Sequence, residues 1–125
     1  ELLPREPVRA FLNSPLFKRI KSAVRTERER EFMIQANEIN YKNIRKSDFL
    51  SSDGMIIGVI DLIIHEPDGL VIVDYKSNRT SSESSLKRKY SGQLSIYKNA
   101  VEIIYKKPVK EVLIYSTELA RTIKL

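Results

Sequence analysis

Apolar residues change their spacing several times along the chain, and each spacing predicts a different element. Helical spacing after Pro7, and again after Ser14-Pro15, predicts two short helices. Ser14 is the predicted N-cap of the second helix, and Pro15 is its first residue. Their apolar positions are Val8, Phe11 and Leu12, then Leu16, Phe17, Ile20 and Val24. Alternating polar and apolar residues then predict a strand from Glu31 to Ile39, and the polar stretch from Asn40 to Asp53 predicts a loop.

The centre of the chain predicts a β-hairpin. Apolar runs at 59–64 and 70–73 flank the turn sequence Glu66-Pro67-Asp68-Gly69, which joins two antiparallel strands. After a serine-rich loop from Ser77 to Ser85, helical spacing predicts a long helix from Ser84 to Tyr105. Its apolar stripe is Leu86, Tyr90, Leu94, Tyr97, Val101 and Ile104.

The remaining residues predict a strand from Val109 to Ser116 and a short edge piece from Thr122 to Leu125. The order of elements is therefore αβββαβ, an α/β fold with a mixed sheet flanked by helices. The strand after the long helix is expected to return parallel to a neighbour through a right-handed crossover. A chain of 125 residues fits one domain, 1–125.

Two aspartates interrupt the apolar hairpin. Asp61 lies inside the first run and Asp74 ends the second, followed by Tyr75 and Lys76. Burying a carboxylate costs several kcal/mol unless a cation or hydrogen-bond donors compensate it. If His65 pairs with Leu70 across a four-residue turn, the two aspartates share a face, whereas a three-residue loop with a glycine bulge puts them on opposite faces.

Composition and net charge limit the kinds of molecule that the chain is expected to bind. The net charge of +6 and the pI near 9.6 favour a polyanion, although charge alone is also explained by solubility. The chain has no cysteine, which excludes disulfides and thiolate metal sites and suits the cytoplasm. Apolar runs of about five residues predict no membrane span. Candidate nucleic-acid contacts are Arg79, Lys87, Arg88 and Lys89.

The motifs together resemble a known family. The blocks GVIDLI, VDYKSNR and YSGQLSIYKNAVE, with Arg28-Glu29-Arg30-Glu31-Phe32 as R-E-x-x-F, resemble the RecB-like nuclease domains of the PD-(D/E)XK superfamily. Among these they resemble the C-terminal nuclease domain of the AddA (RexA) subunit of bacterial ATP-dependent helicase-nucleases. The resemblance implies a restriction-endonuclease-like fold and a Mg²⁺-dependent deoxyribonuclease, with Mn²⁺ as an alternative metal.

The resemblance also assigns roles to residues. Asp61, Asp74 and the backbone carbonyl of Tyr75 would hold the metal, and Lys76 would orient water or stabilise charge on the phosphate. Gln93 and Tyr97 match the Q-x-x-x-Y block and would face the site from the long helix. The competing interpretation is that Asp61 and Lys76 form only a salt bridge.

One part of the family pattern has no match. The family has a metal-binding histidine upstream of the R-E-x-x-F block, and residues 1–30 contain none. His65 is expected to be a solvent-facing turn residue, and Glu29 matches a family glutamate of uncertain role. We therefore expect a C-terminal fragment of a larger subunit, one that binds metal weakly and cuts poorly by itself.

The leading functional hypothesis is an exonuclease domain that processes double-strand breaks for recombinational repair. Its expected partners are DNA and a second helicase-nuclease subunit, AddB/RexB-like, bound through the parent protein. The alternative is a catalytically silent nucleic-acid-binding module of the same fold.

Overall fold

The computed structural model describes residues 5–38, 54–77, 79 and 82–125. Within those ranges the elements follow the predicted αβββαβ order, with two helices at the start. They are α1 (Arg5–Leu12), α2 (Pro15–Ser22), β1 (Arg25–Gln35), a 3-10 turn (Ala36–Glu38), β2 (Met55–Glu66), β3 (Gly69–Lys76), α3 (Glu83–Tyr105), β4 (Val109–Ser116) and β5 (Arg121–Lys124). The loop predicted from Asn40 to Asp53 lies outside the described residues.

The five strands form one mixed sheet in the order β1-β2-β3-β4-β5. β3 and β4 pair in parallel, as predicted, and the other neighbours are antiparallel. The core has two layers. The α3-side cluster joins α3 to one sheet face through residues such as Ile63, Ile72 and Leu94, and the α2-side cluster joins Leu16 to the other face through Leu62, Val73 and Tyr115.

The first strand starts earlier than the alternation predicted. β1 begins at Arg25 instead of Glu31 and ends at Gln35, because it pairs with β2 from Arg25 opposite His65 to Gln35 opposite Met55. Tertiary pairing therefore overrides a charged stretch with weak strand propensity. Val24, predicted on the stripe of the second helix, follows the end of α2 and is 77% exposed. Ile104 is likewise on the outer side of α3.

The hairpin has the register that places both aspartates at one level. His65 pairs with Leu70 and Leu62 with Val73, with Pro67 and Asp68 at the tip. The alternative register with a glycine bulge is therefore wrong.

β1 and β2 are both irregular beside Asp61. Ile60 and Ile63 belong to the same α3-side cluster although they are three residues apart, whereas a regular strand would turn them to opposite faces. The ladder skips Glu29, whose φ of 49° is left-handed, at the level of Asp61. A non-glycine residue in this conformation costs about 1–2 kcal/mol. The chain therefore stores strain beside the first aspartate of the predicted site.

Candidate functional site

Asp61 lies where β2 separates from β3. Regular pairing ends at Leu62 and Val73, one residue before the two aspartates. The Asp61 Oδ2 atom accepts a hydrogen bond of 2.8 Å from the backbone amide of Tyr75. The Asp61 carboxylate thus takes the place of a backbone carbonyl of β2 as the acceptor for this amide of β3. The predicted register brings the aspartates together, although the ladder itself stops short of pairing them.

Asp74 is the buried carboxylate of the site. It is 5% exposed, and its Oδ2 atom lies 2.9 Å from Nζ of Lys76 without a well-formed hydrogen bond among the described residues. Burial raises the pKa of Asp74, the Lys76 ammonium opposes this rise, and Asp61 adds to it. Lys76 therefore pairs with Asp74, whereas the competing interpretation expected a salt bridge between Lys76 and Asp61.

α3 contributes Gln93 and Tyr97 to the same region. Gln93 Nε2 donates a hydrogen bond of 3.2 Å to the Tyr97 hydroxyl, whereas the buried Gln93 Oε1 has no hydrogen-bond partner among the described residues. Burial raises the pKa of Tyr97, and the charges of Asp74 and Asp61 raise it further. The Tyr97 hydroxyl is therefore within the electrostatic range of both carboxylates. The acceptor capacity of Gln93 Oε1 is therefore unused among the described residues.

Gly58 allows Tyr97 to approach the sheet. A Cβ atom at this position would lie 2.7 Å from the Phe32 ring and 3.1 Å from the Tyr97 ring. The two rings pack edge to face with centroids 5.5 Å apart. The glycine of the G-x-x-D block is therefore a packing requirement, which the sequence interpretation did not identify.

Tyr90 is a second residue that the sequence interpretation missed. Its spacing assigns it only to the apolar stripe of the long helix. The Lys76 Nζ atom lies 4.0 Å from the centroid of the Tyr90 ring. Tyr90, Gln93 and Tyr97 are spaced by three and four residues, so they share one face of α3. That shared face was the available signal.

The donor set suits a hard cation. Mg²⁺ binds oxygen ligands, commonly one or two carboxylates, and retains several waters. Asp61 and Asp74 supply such carboxylates, and Asp74 Oδ2 is buried without a hydrogen-bond donor in good geometry. Across the described ranges, no group of three or more histidine, cysteine, aspartate or glutamate side chains is positioned to hold a metal. The residues therefore fit a cation that keeps much of its water.

An open cavity of about 670 Å³ borders the site on its α2 side. Asp61 lies in its wall, together with Arg28 and Glu29, and aromatic rings from α1, α2 and β3 complete it. Those rings belong to Phe11, Phe17 and Tyr75. The cavity gives Asp61 an approach from outside the buried core.

The predicted nucleic-acid contacts are all exposed. Lys87, Arg88 and Lys89 lie on the first turns of α3, and Arg79 precedes that helix. Lys89 Nζ is 5.4 Å from the centroid of the Tyr90 ring, so the basic run ends beside the ring that Lys76 contacts. Their role as nucleic-acid contacts stays a prediction.

His65 is not a solvent-facing turn residue, so that prediction is wrong. It is 9% exposed, and its Nε2 atom lies 2.7 Å from Oε2 of Glu27. The Tyr105 hydroxyl donates a 2.6 Å hydrogen bond to the same oxygen. Although burial raises the pKa of Glu27, these two contacts bring it below its usual value. The pairing of β1 with β2 explains the burial, because it continues to the end of the hairpin.

Comparison with known protein families identifies the family to which the chain belongs. The family model described as the PD-(D/E)XK nuclease superfamily matches residues 2–123. The chain belongs to that superfamily. Its mixed sheet flanked by helices agrees with the restriction-endonuclease-like fold expected for a PD-(D/E)XK nuclease.

Several curated proteins that carry the name of the A subunit of an ATP-dependent helicase/nuclease are similar to this PD-(D/E)XK chain. The protein from Anoxybacillus flavithermus is 36% identical over 115 residues, which cover 89% of this chain and 9% of that protein. The protein from Acetivibrio thermocellus is 34% identical over 86% of this chain and 9% of its own length. The protein from Desulforudis audaxviator is 48% identical over 59 residues, 46% of this chain and 5% of that protein.

This PD-(D/E)XK chain thus spans about a tenth of the length of these relatives. It is homologous to their nuclease region, as the predicted resemblance to AddA indicated. Among the described residues, no helix is long and apolar enough to cross a membrane.

Proposed function

We propose that this chain hydrolyses phosphodiester bonds in DNA as the nuclease domain of a helicase-nuclease, with Asp61 and Asp74 as metal ligands. The observation that supports this most strongly is the meeting of two carboxylates and Lys76 at the point where β2 leaves β3. The Gln93–Tyr97 pair faces the same strand, because the Tyr97 ring packs beside Gly58 of β2. A divalent cation bound there, Mg²⁺ or Mn²⁺, would lower the pKa of a bound water and offset negative charge on the phosphate.

The protein residues carry the remaining roles. The Lys76 ammonium donates hydrogen bonds to water or to a phosphate oxygen, and its pairing with Asp74 fixes its position. Gln93 Oε1 accepts a hydrogen bond from water or substrate, because the amide nitrogen of Gln93 is already bound to Tyr97. The Tyr75 carbonyl is the proposed further oxygen ligand. The basic residues at the start of α3, with Arg79, bind the DNA backbone.

The proposal for the whole protein extends further. Because the similar proteins carry the name of an ATP-dependent helicase/nuclease, we propose that the parent protein also carries a helicase and processes DNA ends for repair in the cytoplasm. A second subunit of the AddB/RexB type is the proposed partner.

The test measures cutting of single-stranded DNA by the whole protein that carries this sequence. Asp74→Asn should lower Mg²⁺-dependent cutting by roughly 100-fold or more, because the carboxylate is replaced by an isosteric neutral amide. DNA binding in the absence of metal should persist. Asp68→Asn is the matched control, since Asp68 lies at the exposed hairpin tip and pairs with Lys110.

Two results would contradict the proposal. Cutting that survives Asp74→Asn at the wild-type rate would exclude this site. If no cutting occurs and DNA binding falls with salt but ignores metal, the chain is the silent binding module instead.

A further inference from the structure

We propose that Tyr90 is a positioning residue that holds the Lys76 ammonium in the site through a cation–π contact. The inference rests on the proposed function of Lys76 and adds a residue to it. The ammonium contacts one charged group and one aromatic ring. Lys76 Nζ lies 2.9 Å from Oδ2 of Asp74 and 4.0 Å from the centroid of the Tyr90 ring.

The freedom of the lysine side chain is the first reason. Lysine carries a flexible four-carbon stem, and ordering it costs conformational entropy. A single salt bridge to Asp74 fixes one direction of the ammonium. A ring on another side fixes a second, so the two contacts together restrict the ammonium far more than either one.

Burial of the ammonium is the second reason. The Lys76 side chain is 19% exposed and that of Asp74 is 7% exposed, so water screens the ammonium weakly. Cation–π contacts are strongest in such desolvated places. A tyrosine ring attracts the cation without the second full negative charge that would raise the pKa of Asp74 further. The ring therefore holds Lys76 without disturbing the metal ligand.

The support of the ring itself is the third reason. Tyr90 is half-buried and packs against the α3-side cluster. It lies on the same face of α3 as Gln93 and Tyr97, within one continuous 23-residue helix. One rigid element therefore aligns the holder of Lys76 with the two polar residues of the site.

The experiment compares Tyr90→Phe with Tyr90→Leu. Phenylalanine keeps the ring, and leucine keeps apolar bulk against the core but removes the π face. The first measurement is the NMR signal of the Lys76 ε-methylene in the metal-free chain, assigned with Lys76→Arg. The signal should lie upfield of other lysines in the wild type and in Tyr90→Phe, because of the ring current, and should move to the ordinary position in Tyr90→Leu.

The second measurement is DNA cutting by the whole protein. Tyr90→Leu should lower kcat by roughly 2- to 30-fold, the range that follows from the strength of a cation–π contact, with KM changed less than kcat. Tyr90→Phe should restore the wild-type value. Thermal unfolding of both variants establishes whether each one is folded.

Either of two results would overturn the inference. One is an upfield Lys76 signal that persists in Tyr90→Leu, and the other is a Tyr90→Phe variant as impaired as Tyr90→Leu. Because the NMR measurement needs neither metal nor cutting, it separates failure of this inference from failure of the proposed nuclease function.

Discussion

At the scale of single residues, charged side chains in an apolar context carried the most information. Asp61, Asp74 and Lys76 were identifiable from sequence because carboxylates among β-branched residues require compensation. The spacing of Gln93 and Tyr97 puts them on one helix face, and the family resemblance implied their place in the site. The roles assigned to these residues stay predictions. In the structure Asp61 bonds to the Tyr75 amide, Lys76 pairs with Asp74, and Gln93 bonds to Tyr97, whose ring lies beside Gly58 of β2.

Other residues could not be interpreted without the fold. Gly58 matters because of two rings that come from elsewhere in the chain. His65 was misassigned, since the sequence gives no sign that Glu27 and Tyr105 would meet it. The left-handed conformation of Glu29 is likewise a product of paired strands and carries no local signal. Long-range contacts decide all three.

The close approach at Gly58 makes a prediction about stability. Gly58→Ala should destabilise the protein by about 1–3 kcal/mol, because a methyl group 2.7 Å from the buried Phe32 ring forces the ring to move. The free energy of unfolding in urea measures the effect.

Gly92→Ala is the matched control for this substitution. Gly92 lies within α3, and no atom from elsewhere in the described residues lies within 4 Å of the position that a Cβ atom would take there. Alanine should therefore stabilise the helix by about 0.5–1 kcal/mol. Equal effects of the two substitutions would contradict the close packing at Gly58.

At the scale of elements, the long helix and the strand after it were predicted almost to the residue, because their apolar spacing is strong. β1 was not, since its first half is charged and gains its structure from pairing with β2. The hairpin was predicted with two registers, and the structure has the one that brings the aspartates to one level.

A charged cluster joins α2, the hairpin and β4 at the end of the sheet away from the aspartates. Arg19 lies 2.7 Å from Glu66 and 2.9 Å from Glu111, and Lys110 lies 2.8 Å from Glu66. Hydrogen bonding to Arg19 is the main cause that lowers the pKa of Glu66 to about 2 from 4.5. The Glu66 carboxylate is thus the centre of the cluster.

This lowered pKa predicts a pH-dependent contribution to stability. Because the folded-state pKa is below the unfolded one, the contribution is complete above about pH 4.5 and declines as pH falls toward 2. Glu66→Gln should cost about 1–3 kcal/mol at pH 7, after allowance for the partial exposure of Arg19. Urea unfolding at pH 7, 4 and 3 should show the gap between wild type and variant narrowing.

Glu83→Gln is the control, since the ion pair that Glu83 forms among the described residues is an exposed one with Arg121. Its effect should stay within about 0.5 kcal/mol at every pH. If the difference in free energy of unfolding between wild type and Glu66→Gln is the same at every pH, the ionised Glu66 carboxylate is not stabilised by Arg19 and Lys110.

At the scale of the whole molecule, length indicated a single domain, the order of elements an α/β fold, and net charge a polyanionic partner. The ordered motifs indicated the family. The family and the fold class are confirmed. What composition could not supply is the path of the DNA, because basic residues also line surfaces remote from the site.

The position of the basic run on α3 predicts how DNA binding depends on salt. Replacing Lys87, Arg88 and Lys89 by glutamine should reduce the slope of log affinity against log salt by about 2 for single-stranded DNA, at roughly 0.7 per lost phosphate contact. Fluorescence anisotropy across a salt series measures the slope. The control is the double substitution Lys106→Gln and Lys107→Gln at the far end of α3, which should leave the slope unchanged. If both sets of substitutions reduce the slope equally, the DNA does not bind preferentially at the basic run.

The central claim is that Asp61 and Asp74 form one metal site, and a Mn²⁺ titration of the ¹⁵N-labelled chain tests it most directly. Paramagnetic broadening should appear first at the amides of Asp61, Asp74 and Tyr75 and then at Tyr97. In Asp74→Asn the same broadening should require a much higher Mn²⁺ concentration, while Asp68→Asn behaves as wild type. Broadening that begins elsewhere, or that is unaltered by Asp74→Asn, would contradict the claim.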